Sequence, residues 1–194
     1  MLANLITLAR LPLAAGFALA VGAAADAAGA GDTIPAAWAW GLIAIAAFEE
    51  LTDFLDGWVA RRTHTASRLG GILDPLADSL ARLTMYFALA LVGWVTLAVP
   101  LLMALRDIVV SYTRTVQAMT GGKTSARLSG KLKAVVQGGG VFVVVVVMAN
   151  WLGPYNDFGQ MAIALTAWAV ILVTVWSLAD YIRGALPGLR ALAK

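Results

Sequence analysis

Asp53-Phe-Leu-Asp56-Gly57-Trp-Val-Ala60-Arg61, followed after eight residues by Gly70, Asp74 and Asp78, is the stretch on which this sequence turns. Its four carboxylates stand in a chain that otherwise avoids charge. Asp53 and Asp56 are three apart and Asp74 and Asp78 four apart, so on helices each pair projects from one face, about one turn between its members. Two such helices facing each other form a cage for a cation. The chain has no cysteine and His64 is its only histidine. A metal here therefore sits on oxygen, and hard carboxylate ligands suit Mg²⁺ or Mn²⁺, ions that bridge carboxylates to substrate phosphates. Two such ions can clamp a diphosphate while a neighbouring carboxylate takes a proton from the attacking group. The small residues Gly57, Ala60 and Gly70 leave room for a nucleotide against the backbone, and Arg61 can pair with phosphate oxygens.

Working outward, composition sets the surroundings. The 194 residues are 61% hydrophobic and 13% charged, against about 25% charged in an average soluble domain. With a mean hydropathy of +0.83, the chain reads as an all-α integral membrane protein. Apolar stretches at about 4–24, 36–60, 70–93, 95–119, 134–152 and 159–182 predict six transmembrane helices, each near the ~20 residues that cross a bilayer core. They form one domain over 1–194. The run Val141–Val147 favours a strand in water, but a lone strand in lipid leaves its backbone unpaired, so a helix is expected. The first segment is read as a helix and not as a cleaved leader, because no Lys or Arg precedes Arg10.

Basic residues fall in alternate connections: Arg61, Arg62 and Arg68, then Lys123, Arg127, Lys131 and Lys133, then Arg183, Arg190 and Lys194. The opposite connections hold Asp26, Asp32 and Asp157 and no Lys or Arg. The positive-inside rule then puts both termini, and the Asp motif with them, in the cytoplasm. The formal charge of +3 is accounted for by this bias and by anionic membrane lipids, without nucleic acid as a partner.

A single Asp at a helix end is most simply a cap or a surface ion pair, but four carboxylates, two glycines and an arginine at fixed spacings are not. The pattern Asp-x2-Asp-Gly-x2-Ala-Arg-x8-Gly-x3-Asp-x3-Asp resembles the signature of the CDP-alcohol phosphotransferase family at every defining position. The resemblance implies a homodimer of six-helix subunits in the inner (cytoplasmic) membrane. The implied reaction moves a phosphatidyl or other phospho-alcohol group from a CDP-linked donor to an alcohol and releases CMP. It also implies that Asp53, Asp56, Asp74 and Asp78 hold two metal ions, with Asp78 the catalytic base, and that Asp53, Asp56, Gly57, Ala60, Arg61 and Gly70 bind the CDP moiety.

The second constellation is Arg106-Asp107-Ile-Val-Val-Ser111-Tyr-Thr-Arg114, followed by Lys123, Arg127 and Gly130-Lys131-Leu-Lys133. Arg106 and Arg114 lie eight apart on one helix face at membrane depth, where an idle arginine is expensive. With Lys131 and Lys133 they make a candidate site for the phosphate of a phosphorylated acceptor. Together with Asn4-x2-Thr7-x2-Arg10, Asp74-Pro75-Leu-Ala-Asp78 and Trp176-Ser177, these residues resemble the family's branch of bacterial phosphatidylglycerophosphate synthases. That likeness implies CDP-diacylglycerol as donor and glycerol 3-phosphate as acceptor. Ser79 stands where those enzymes commonly carry Lys, which leaves inositol phosphate or another alcohol as the alternative acceptor.

Other residues have plainer readings. His64 belongs to a polar loop. One of Glu49 and Glu50 is expected to pair with Arg82 or Arg106 and orient the site. Trp38, Trp40, Trp94, Trp151 and Trp176 suggest an interfacial aromatic belt, and Gly138-Gly139-Gly140 suggests close helix packing. A transporter is the non-enzyme alternative, but transport sites lie near the midplane of repeated architectures, and neither feature is evident here.

Overall fold

The computed structural model describes residues 2–29, 33–62, 70–119, 128–151 and 157–192; within them, the side chains of 2–6, 53, 54, 56–62, 70–72, 191 and 192 are outside the description. Six helices account for almost all of it: α1 (Leu2–Ala28), α2 (Ala36–Arg62), α3 (Gly70–Leu91), α4 (Ala98–Met119), α5 (Leu128–Met148) and α6 (Asp157–Leu192). No strand occurs among the described residues, and Val141–Val147 lies inside α5. Satisfying the backbone within the helix outweighs β-propensity there.

Two helix boundaries differ most from the sequence reading. α5 begins at Leu128, before the expected 134, and α6 runs on to Leu192, beyond 182. In α5 the polar first turns are not a loop because Ser129 and Lys133 point inward. They find partners on α6 and α4: the Ser129 hydroxyl donates to Asp180, and the Lys133 ammonium donates to Asp107. Among the described residues, three segments are long and apolar enough to cross a membrane by length and composition: Thr7–Ala28, Leu128–Met148 and Asp157–Arg190. α2, α3 and α4 are long enough too, since 22 residues at ~1.5 Å each span about 33 Å, but ionisable residues interrupt their apolar runs.

α1 packs on α2 and α3, α6 packs on α4 and α5, and the two triplets meet where α5 touches α2 and α3 and where α3 touches α4. The apolar core fills the half of the bundle distant from the Asp motif, through Phe17 and Val21, Leu42, Leu89, Val99 and Met103, and Val144 and Val145. Alanines at 14, 24, 46, 81 and 88 line it, and their small side chains let backbones approach closely. The pattern of a water-soluble bundle is partly inverted. Leu19, Leu91 and Leu172 face outward while Arg10, Gln137 and Ser177 are buried, the arrangement expected where lipid is the outer solvent.

Two odd-numbered helices end alike at the core end. After α3, Gly93 takes φ 80°, its N–H donates to Ala90 O (3.1 Å), and Trp94 N–H donates to Leu89 O (2.9 Å). After α5, Asn150 takes φ 61°, with the equivalent bonds from Asn150 to Val147 O and from Trp151 to Val146 O. A left-handed residue after the last turn satisfies carbonyls that would otherwise be orphaned. Trp38, Trp40, Trp94 and Trp151 lie near this end, where the rings of Trp40 and Trp151 are 4.7 Å apart and Trp94 is buried in the core. Trp176 does not join them, because α6 continues well past it.

Candidate active site

The polar residues of all six helices converge at the opposite end. α3 supplies Asp74 and Asp78, one turn apart. Behind each carboxylate stands a buried arginine. Arg10 of α1, 1% exposed, lies 3.4 Å from Asp74 Oδ1, and Arg82 Nε donates to Asp78 Oδ1 at 2.9 Å. The other edge of the Arg82 guanidinium forks onto Glu50 of α2, at 2.7 and 3.2 Å. Of the pairings expected of Glu49 or Glu50 with Arg82 or Arg106, this is the one formed. Glu49 is buried beside it and helps line a small cavity with Arg10, Glu50, Asp78 and Arg82.

The layering bears on chemistry. The Asp74 and Asp78 side chains are 50% and 30% exposed, while Arg10 and Arg82 behind them are 2% and 8% exposed. The carboxylates thus face the open side and the cations hold them from within. A buried arginine six residues into an apolar stretch was itself a readable sign, because such a charge needs a partner.

The rest of the Asp motif is placed by its helices only. Asp53, Asp56, Gly57, Ala60 and Arg61 belong to α2 and Gly70 opens α3, but their side chains, and all of His64, Lys123 and Arg127, lie outside the described residues. Among the described residues no three carboxylate or imidazole groups gather closely enough to hold a metal; the expected four-Asp cage has only its α3 half there.

The second cluster joins α4, α5 and α6. Arg106 Nη1 donates to Asp107 Oδ1 at 2.7 Å and Nη2 to Ser177 Oγ at 2.6 Å. Lys133 Nζ reaches both Asp107 oxygens, at 3.0 and 3.3 Å. Arg114 Nη2 donates to the Tyr181 hydroxyl at 3.0 Å, and the Tyr181 ring packs 5.2 Å from the Arg106 guanidinium and 5.4 Å from that of Arg114. Such cation–π contacts hold both planar groups in place. Gly130 leaves room for this ring, since a Cβ there would meet the Tyr181 hydroxyl at 3.2 Å.

Arg106, Arg114 and Lys133 are therefore brought together as expected. Lys131 is not; it is exposed, about 200° around the helix from Lys133. Lys133, which its loop-side position suggested would sit nearer water, is 4% exposed because Asp107 draws it inward. Tyr181 and Asp180 were not anticipated. Their spacing of four and three from Ser177 puts all three along one side of α6, a pattern hidden by the apolar run around them.

Lys133 interacts electrostatically with Asp78 as well as with Asp107, so the basic group and the α3 carboxylates share one polar end of the bundle.

The sequence profile of the CDP-alcohol phosphatidyltransferase family matches residues 1–176. Among curated relatives, a CDP-diacylglycerol–glycerol-3-phosphate 3-phosphatidyltransferase from Haemophilus influenzae is 28% identical over 140 residues, covering 70% of this chain and 71% of that protein. Proteins of the same name from Yersinia enterocolitica and Salmonella choleraesuis are 30% and 31% identical over 161 residues, covering 78% of this chain and 82% of each relative.

Proposed function

Because this chain belongs to the CDP-alcohol phosphatidyltransferase family, we propose that it transfers the phosphatidyl group of CDP-diacylglycerol to glycerol 3-phosphate. The observation that carries the acceptor is the cluster of buried Arg106 and Lys133 with half-buried Arg114, at the same polar end of the bundle as Asp78. A desolvated basic group suits a dianionic phosphate and has no use for an uncharged alcohol. The relatives' names support the same pair of substrates.

In this reading a hydroxyl oxygen of glycerol 3-phosphate attacks the phosphatidyl phosphorus. The phosphorus–oxygen bond to CMP breaks and CMP leaves with the bridging oxygen. The hydroxyl proton passes to Asp78, while Arg106, Lys133 and Arg114 hold the acceptor's phosphate. The carboxylate-only donor set, with Asp74 and Asp78 presented outward by arginines behind them, fits two Mg²⁺ or Mn²⁺ ions held by Asp53, Asp56, Asp74 and Asp78. When bound, such ions would neutralise the donor's diphosphate and stabilise the negative charge that develops on the oxygen leaving with CMP. Gly57, Ala60, Arg61 and Gly70 complete the CDP pocket. The same reading includes a homodimer in the cytoplasmic membrane with the site facing the cytoplasm.

The deciding assay offers purified protein, CDP-diacylglycerol and Mg²⁺ with glycerol 3-phosphate, inositol phosphate, inositol or serine in parallel and follows CMP release. Equal rates with unphosphorylated alcohols would remove the acceptor assignment. No CMP release with any of them would remove the enzyme and favour a transporter.

Five substitutions probe the two halves of the site. Arg106→Ala and Arg114→Ala should each raise the KM for glycerol 3-phosphate well above any change in that for CDP-diacylglycerol. A charge-assisted contact is worth about 1.5–3 kcal/mol, which at ~1.4 kcal/mol per decade is roughly tenfold to a hundredfold. Lys131→Ala, on the outer face of α5, should change either KM by less than about twofold, within the ±0.5 kcal/mol usual for surface positions. For the donor half, Asp74→Ala or Asp53→Ala should abolish the divalent-dependent part of CDP-diacylglycerol binding in calorimetry. Binding that still responds fully to Mg²⁺ would refute the cage.

A further inference from the structure

We propose that Arg82 is a positioning residue that sets the carboxylate plane of Asp78, and that Glu50 on α2 and Gly138 on α5 exist in this chain to hold Arg82 in that role. The proposal rests on the reading of Asp78 as the base.

A guanidinium has two usable edges. In Arg82 one is spent on Asp78 through Nε, and the other is forked on Glu50 through Nη1 and Nη2. Asp78 and Arg82 are four residues apart on α3 and could pair in many rotamers if left alone. The bidentate grip from another helix removes that freedom, because rotating the guanidinium to release Asp78 would also break the Glu50 fork. With Oδ1 committed to Arg82, Oδ2 is the oxygen left for the reaction.

α5 is shaped to this pair. A Cβ on Gly138 would lie 2.5 Å from Glu50 Oε1 and 2.9 Å from Arg82 Nη1, both closer than real contacts allow. One turn further along α3, the Tyr86 hydroxyl donates to Gln137 O at 2.8 Å, and a Cβ on Gly140 would collide with that same hydroxyl. The Asp78–Arg82–Tyr86 stripe is thus seated against a glycine-bearing strip of α5, which fixes the rotation of α3 about its axis. Gly139, between them, has open space around its Cβ position. The glycines therefore serve the polar pair as well as general packing.

Steady-state kinetics on Glu50→Gln, Arg82→Lys and Gly138→Ala, with thermal stability measured on the same preparations, tests the idea. Arg82→Lys keeps the charge and loses the fork. Gly138→Ala removes no charged group, and the atoms it meets are ends of flexible side chains, so the chain can fold by displacing them. All three should lower kcat about 10-fold to 100-fold, the usual effect of removing a partner that orients a site ligand, with each KM changed less than about threefold and the wild-type melting profile kept by Gly138→Ala. If Gly138→Ala and Glu50→Gln keep kcat within twofold, or if the variants lose only stability or only substrate affinity, the proposal is overturned. Asp78→Asn in parallel separates the two ideas: an active Asp78→Asn enzyme condemns the reading of the base, whereas an inactive one beside fully active Glu50 and Gly138 variants condemns the positioning role alone.

Discussion

Asp78→Asn should lower turnover by about 10²–10⁴, the usual contribution of a general base, while the protein stays folded and still binds CDP-diacylglycerol. The structure gives the reason for both halves. The asparagine carbonyl can still accept the Arg82 Nε–H that Asp78 Oδ1 now accepts at 2.9 Å. Arg82 also keeps its fork on Glu50, so no buried cation is left alone. What disappears is the ability to take a proton. CMP release by the purified variant, set beside its CDP-diacylglycerol affinity, measures the two effects separately. Turnover near the wild-type level would remove Asp78 from the reaction.

The parts of this protein that were legible in its sequence are those governed by local pattern. Apolar length set the six helices, and spacings of four and eight put Asp74 beside Asp78 and Arg106 in line with Arg114. Pairing across helices was harder to read. One of Glu49 and Glu50 was expected to pair with Arg82 or Arg106, and only the packing of α2 and α3 against the shared neighbours α1 and α5 selects Glu50 and Arg82. Lys133 looked like a water-facing loop residue because Gly130, Lys131 and nearby basic residues read as a connection; the inward partner Asp107 is 26 residues away, and no periodicity links them. Tyr181 escaped notice for a related reason. An aromatic residue in an apolar helix carries no local sign that its ring will lie against two arginines from another helix.

The second large effect concerns Asp107, whose two oxygens are shared by two cations. Its carboxylate binds Arg106 at 2.7 Å and Lys133 at 3.0 Å, and all three side chains are 10% exposed or less. Asp107→Ala leaves both cations buried with too little negative charge, a change that typically costs about 3–5 kcal/mol, and the Ser177 hydroxyl is neutral and cannot offset it. Reversible unfolding in detergent or nanodiscs should therefore show a stability loss of that order. Asp107→Ala/Lys133→Met, which removes one of the stranded cations, should recover much of it, because residues in one ion-paired network are not additive. The acceptor assignment adds a sharper consequence. If this cluster receives the phosphate of glycerol 3-phosphate, the ligand's dianion can take the place of the missing carboxylate. Saturating glycerol 3-phosphate should then stabilise Asp107→Ala more than it stabilises the wild type, since a ligand that binds only the folded state raises stability in step with its affinity. It should stabilise the Lys133→Met double variant less. Equal stabilisation of all three proteins would mean that the trio is a structural ion network and that the acceptor's phosphate binds elsewhere.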